Sequence, residues 1–220
     1  MQHDWSVVVL LEALLALLVL TIPALWEGRD AAMIEVNDST RLPLPTRLWR
    51  LAGIMALASY TSTIVTHATG FLEIGPNEAR EQSLRFVGGV LIAAPYFFLS
   101  AVALGAPWKE MVDRTAAWAL IMGILVGGPL GAAAPSLQQL RLPPLWQGPP
   151  GETALIRFRA LGCCAGAWVG AFVVPLDWAM PFQEWPLPLV VGAVAGHSLG
   201  SFAVYCDQRW THAKGVGHVD

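Results

Sequence analysis

The sequence predicts an all-α polytopic membrane protein, a bundle of about six transmembrane helices forming a single domain over residues 1–220. Charged residues make up 13% of the chain, about half of the ~25% found in soluble domains. Hydrophobic residues make up 55%, and the mean hydropathy is +0.53. These apolar residues neither alternate nor follow one helical stripe. They fall in blocks of about 20, the length a helix needs to cross the ~30 Å hydrocarbon core. The net charge of −3 leaves no basic footprint, which argues against nucleic acid as a partner.

The first span is predicted at about 6–25. Its n-region offers only His3 and Asp4, and it ends at Pro23 and Trp26. That is the pattern of a retained helix rather than of a cleaved leader with a positive start and a small-residue cleavage site. Glu12 lies inside this span and is expected to reach toward the near interface or to meet a polar partner. The loop from Trp26 to Arg47 carries Asn37-Asp38-Ser39, a formal glycosylation acceptor. The second span, about 48–72, is the most polar, with Ser59, Tyr60, Thr61, Ser62, Thr63, Thr66, His67 and Thr69. Hydroxyls there can bond to their own backbone or across to a neighbouring helix.

The third span is predicted at about 84–104, with Pro95 inside it as a candidate kink, and Gly105-Ala106-Pro107 makes a sharp turn. The fourth, about 111–134, follows at once. A connection holding Pro143, Pro144, Pro149 and Pro150 leads to the fifth span, about 153–174. The sixth is predicted at about 187–206, before a polar tail from Asp207 to Asp220. An even number of spans puts both ends on one side. Basic residues divide almost equally between the two faces, but the loop between spans five and six has no Lys or Arg and holds Asp177 and Glu184. That favours a non-cytoplasmic loop and cytosolic ends.

Three spans carry glycines four residues apart: Gly123, Gly127 and Gly131; Gly162, Gly166 and Gly170; Gly192, Gly196 and Gly200. Residues at this spacing share one helix face, and glycine lets another backbone approach closely. The ladders are expected to pack the bundle or to receive a helix of another protein. Pro129 interrupts the first and weakens it as a signal.

A search for chemistry finds no nucleophile elbow, no HExxH, no phosphate loop and no dinucleotide fingerprint. The acids are scattered, and Glu78 with Glu81 and Glu110 with Asp113 sit beside arginines or lysine at helix ends. His67 and His197 are lone, one per span. Cys163, Cys164 and Cys206 form no CxxC and no predicted disulfide. No catalytic residue, metal or cofactor is assigned. No loop exceeds about 22 residues, too short for a soluble catalytic domain.

The most specific stretch is Gly166 to Pro186, GAWVGAFVVPLDWAMPFQEWP. A glycine-faced helix ends near Pro175, a proline-stiffened loop follows, and Trp178 and Trp185 fall where an aromatic belt would sit. Asp177 can cap the turn. The order of Gly166, Ala167, Trp168, Gly170, Ala171, Pro175, Leu176, Asp177, Trp178, Pro181, Gln183, Trp185 and Pro186 resembles the signature of the PIG-F family of glycosylphosphatidylinositol (GPI) anchor biosynthesis. The Gly105-Ala106-Pro107 turn also looks like the family's. Residue-level likeness covers spans three to six, and the first half matches in its pattern of spans. Ala179 and Met180 stand where the family has an acid and an arginine, Phe182 where it has tryptophan, and Val173 where it has an earlier proline.

The resemblance implies a multi-pass endoplasmic reticulum membrane protein without catalytic residues of its own. It implies a partner, a large multispan ethanolamine-phosphate transferase catalytic subunit, alongside membrane lipid. The residues expected to matter are the packing glycines Gly162, Gly166, Gly170, Gly192, Gly196 and Gly200, and the motif residues Trp168, Pro175, Asp177, Trp178, Gln183, Trp185 and Pro186. Two rival readings are an intramembrane lipid-modifying enzyme using Asp177 with His67 or His197, and a lipid flippase or carrier using the polar face of span two.

Overall fold

The computed structural model describes residues 52, 54, 55 and 59, then 76–134, 152–176 and 183–216. Among the described residues the chain is all-helical, and four helices are long and apolar enough to cross a membrane. The predicted first span, with Glu12, the loop with Asn37, and most of the second span, with His67, lie outside the described residues. The described residues therefore form a helical bundle with four candidate membrane spans.

Helix α1 runs Pro76–Ala103. Pro76 opens it, where a missing N–H costs nothing. It begins earlier than the apolar block because a polar first turn, Asn77 to Arg80, extends it beyond the apolar run. Pro95 lies within this single helix. The end is a Schellman closure: Gly105 N–H donates to Val102 O (3.0 Å) and Ala106 N–H to Ala101 O (2.9 Å). Gly105 adopts φ +98°, a left-handed conformation that favours glycine, and Pro107 prevents continuation.

Helix α2 spans Val112–Met122 and continues through a π-helical segment, Gly123–Gly127, into α3, Gly128–Ala132. Proline inside a helix removes one hydrogen bond and crowds the carbonyl four residues back. The wider π turn immediately before Pro129 accommodates that crowding. Ser59 Oγ donates to Ile124 O at 3.3 Å, so a hydroxyl of the second predicted span satisfies a carbonyl in this irregular turn.

Helix α4 spans Glu152–Ala171 and α5 spans Leu187–Val216. The sequence pattern ends the last span near Cys206, but the helix runs on through the first ten residues of the predicted polar tail. Loss of apolarity marks where a helix leaves lipid, not where it stops.

The α2–α3 rod is the centre: 78% of its apolar window is buried, against 22% for α1. Met55, Ile121, Met122, Leu125, Leu155, Cys163 and Val190 are the most enclosed core side chains. Leu84, Val87, Leu91, Leu99, Val169, Leu199 and Phe202 point outward instead. In lipid an exposed apolar face carries no penalty, so outward leucines are the normal surface of such a bundle.

Candidate functional site: two glycine seams and the joint between them

The α4 and α5 ladders face each other. A Cβ built on Gly166 would fall inside the van der Waals envelope of Gly192 O, and one on Gly192 would meet Gly166 O. Gly162 and Gly196 stand in the same reciprocal relation. Gly170 meets Pro188 O, and Gly200 meets Phe158 O. The helices are antiparallel, so each four-residue step along one advances the contact by one step along the other. At every step a glycine Cα–H points at a facing carbonyl, a weak but recurrent contact. The larger gain is dispersion from two backbones in direct contact, without loss of side-chain freedom.

The ladder of Gly123, Gly127 and Gly131 is used in the same way. Cβ atoms at Gly127 and Gly131 would collide with the backbone around Gly89, and one at Gly123 would come within 3.0–3.2 Å of Ala94. Sequence reasoning discounted this ladder because of Pro129, and it missed Gly89 because a single glycine has no period. Pro129 does not break the seam, because the π turn absorbs its effect upstream.

Between the seams lies the joint formed by the Gly105–Pro107 turn, the start of α2 and the α4–α5 loop. Thr115 is fully buried there, donates to Pro107 O (3.3 Å) and accepts from the Trp185 indole Nε1–H (3.1 Å). Trp185 also packs on Trp118 with ring centroids 6.1 Å apart, and Trp118 meets Phe97 edge-on. Sequence position put Trp185 in an interfacial belt. The structure turns it inward, because its ring has apolar neighbours and its N–H has a buried acceptor. Arg114 pairs with Glu184, joining the start of α2 to the same loop. The loop without Lys or Arg thus meets a cation from another element.

Gln183 closes the end of α4. The last turns tighten into i→i+3 bonds from Phe172 to Val174, and the Gln183 side-chain amide donates to Val173 O (3.1 Å) and Leu176 O. Val173 O also accepts from Leu176 N–H (3.3 Å), so the Gln183 amide reinforces the turns that follow the helix end. Pro186 is fully buried and accepts from the N–H groups of Leu189 and Val190 (3.1 Å each), starting α5. Pro175 is exposed at the end of α4. Trp168 is also exposed on α4 and packs edge-on against Phe172 at 4.5 Å. Asp177 and Trp178 lie outside the described residues.

His197 and Arg159 are both buried in the α4–α5 pair. Arg159 Nε donates to Ser201 Oγ (2.9 Å), and Ser201 donates to His197 O (3.3 Å). This polar chain links the two helices at the end of the seam away from the joint. Among the described residues no three His, Cys, Asp or Glu side chains converge as metal ligands. The described residues thus bring together two antiparallel glycine seams and one hydrogen-bonded joint.

Residues 31–205 match the model of the GPI biosynthesis protein family Pig-F. Among curated relatives, the chain is 34% identical over 119 residues to glycosylphosphatidylinositol anchor biosynthesis protein 11 of Pyricularia oryzae, covering 51% of this chain and 42% of that one. It is 31% identical over 121 residues to the protein of the same name from Eremothecium gossypii, covering 54% and 48%. It is 29% identical over 147 residues to the human GPI ethanolamine phosphate transferase, stabilizing subunit, covering 59% and 64%. The chain spans about half the length of the curated relatives it matches. No solved structure matches it. The family match extends over most of the chain and includes both seams and the joint, and the chain belongs to the GPI biosynthesis protein family Pig-F.

Proposed function

We propose that this chain is a non-catalytic membrane subunit that binds and stabilises a GPI ethanolamine-phosphate transferase. It would sit as a multi-pass protein of about six spans in the endoplasmic reticulum membrane, bound to a large multispan catalytic subunit. The observation that carries the reading is the name of the human relative, a stabilizing subunit of that transferase. The hydrogen bonds and ion pair of the joint support it. The polar groups at the joint are engaged in holding helices: Thr115 with Trp185, Arg114 with Glu184, and Gln183 with the end of α4.

The glycine ladders serve the partner indirectly in this reading. Their faces are occupied by the chain's own helices, and they hold the outer apolar faces of α1 and α4 at fixed spacing. Those faces, with Leu84, Val87 and Leu91 on one and Val169 and Phe172 on the other, are the surfaces offered to another membrane protein. The test is a pull-down of the tagged chain in mild detergent. One large multispan protein carrying a metal-dependent transferase domain is expected to co-purify. Recovery of the chain alone, or ethanolamine-phosphate transfer by the purified chain alone, would contradict the reading.

A further inference from the structure

Pro129 leaves a gap in the backbone hydrogen bonds of the α2–α3 rod, and the gap falls at one place. Gly128 N–H donates to Gly123 O, the π register. The next N–H in that register would belong to residue 129 and would donate to Ile124 O, but proline has none. The α register is in place again at Ala133, whose N–H donates to Pro129 O (3.1 Å). Between these two bonds the carbonyls of residues 124–128 face only the N–H groups of residues 130–132. A bare carbonyl inside a membrane is costly, and a serine or threonine side chain is one of the groups that can satisfy it.

Ser59 stands at that place. Its Oγ donates to Ile124 O, the carbonyl that residue 129 would have served, and both residues are buried. Ser59 belongs to the polar second predicted span. Its spacing from Ala52 and Met55 puts the three on one helix face, and all three are buried. The register held there matters for the α1 seam. In an α-helix, residues four apart lie ~40° round from each other, so a ladder of three glycines turns by ~80°. A wider turn inside the ladder takes back part of that drift. Gly123, Gly127 and Gly131 all lie against α1, at Ala94, Ala93 and Gly89.

We propose that Ser59 is a positioning residue: its hydroxyl stands in for the N–H that Pro129 lacks, and so holds the π turn that keeps the Gly123, Gly127 and Gly131 face on α1. The inference rests on the hydrogen bonds of this turn, not on the transferase reading, and it is tested without a partner. The full chain is purified in mild detergent and melted as a cycle of Ser59→Ala, Pro129→Ala and the double variant. In the presence of Pro129, Ser59→Ala is expected to lower the melting temperature by about 2–4 °C, the shift that one hydrogen bond gives a chain of this size. With Pro129→Ala the backbone can satisfy Ile124 O itself, and Ser59→Ala should then cost less than about 1 °C.

Ser59→Thr and Ser59→Val match each other in shape and differ by the hydroxyl. The first is expected to melt about 2–4 °C above the second, and this comparison does not depend on Pro129→Ala folding. Amide hydrogen exchange reads the turn itself. Exchange across residues 123–131 should quicken about fivefold in Ser59→Ala and Ser59→Val, the value of one hydrogen bond, and stay at the wild-type rate in Ser59→Thr. An equal cost of Ser59→Ala with and without Pro129 would overturn the proposal. So would equal melting of Ser59→Thr and Ser59→Val, or faster exchange that spares residues 123–131.

Discussion

At Gly166 the α4 backbone lies so close to Gly192 O that no side chain fits without moving a helix. The neighbouring Ala165 is exposed. Gly166→Leu is therefore expected to cost at least about 1–3 kcal/mol, as overpacking does, read as a lower melting temperature in detergent. Ala165→Leu should stay within about 0.5 kcal/mol of the wild type. Equal effects of the two would mean that the seam does not hold the helices. The Trp185–Thr115 bond is open to a double-mutant cycle with Trp185→Phe and Thr115→Val. A coupling of about 0.5–1.5 kcal/mol is expected for one hydrogen bond; a coupling of zero would remove it from the account. Gly105→Ala meets no neighbour within 4 Å, so its cost of about 1–2 kcal/mol would come from backbone handedness alone. At this scale the glycines were legible because spacing by four is a property of one helix. The Thr115–Trp185 bond was not, because its partners are 70 residues apart and threonine in an apolar run has many equivalent local uses.

Each helix of the described bundle is recognisable as an apolar block, and its ends are fixed by different physics. The end of α1 follows from Gly105 and Pro107, whose turn chemistry is local. The start of α1 and the end of α5 lie outside the apolar blocks, where polar residues continue a helix into water. The π turn before Pro129 is a tertiary solution to a local problem: proline signals a disturbance, but the packing decides whether it becomes a kink or a widened turn. The joint between α2 and the α4–α5 loop combines a buried bond with a surface ion pair. Arg114 and Glu184 are 21% and 44% exposed, and such pairs contribute about 0–1 kcal/mol. Glu184→Gln is accordingly expected to shift the melting temperature less than Thr115→Val, which leaves the Trp185 N–H buried without its acceptor. The reverse order in a thermal melt would place the strength of the joint in the ion pair.

In the described bundle Thr115, Trp185, Gln183 and Arg159 direct their polar groups at the chain's own helices, and the outer faces of the helices are apolar. The chain's membrane character was plain from composition, and its family from the order of residues between Gly166 and Pro186. Which ladder faces which was not readable, because three ladders admit several pairings and only the antiparallel registry of α4 with α5 and of α1 with α2–α3 selects one. Stabilisation of a partner needs only that the scaffold present its outer faces at a fixed spacing. The most direct measurement is the steady-state level of the ethanolamine-phosphate transferase catalytic subunit in cells that lack this chain. The account predicts that the level falls, that the wild-type chain restores it, and that Ala165→Leu restores it while Gly166→Leu does not. A catalytic subunit whose level is the same with and without the chain would contradict the account at its centre.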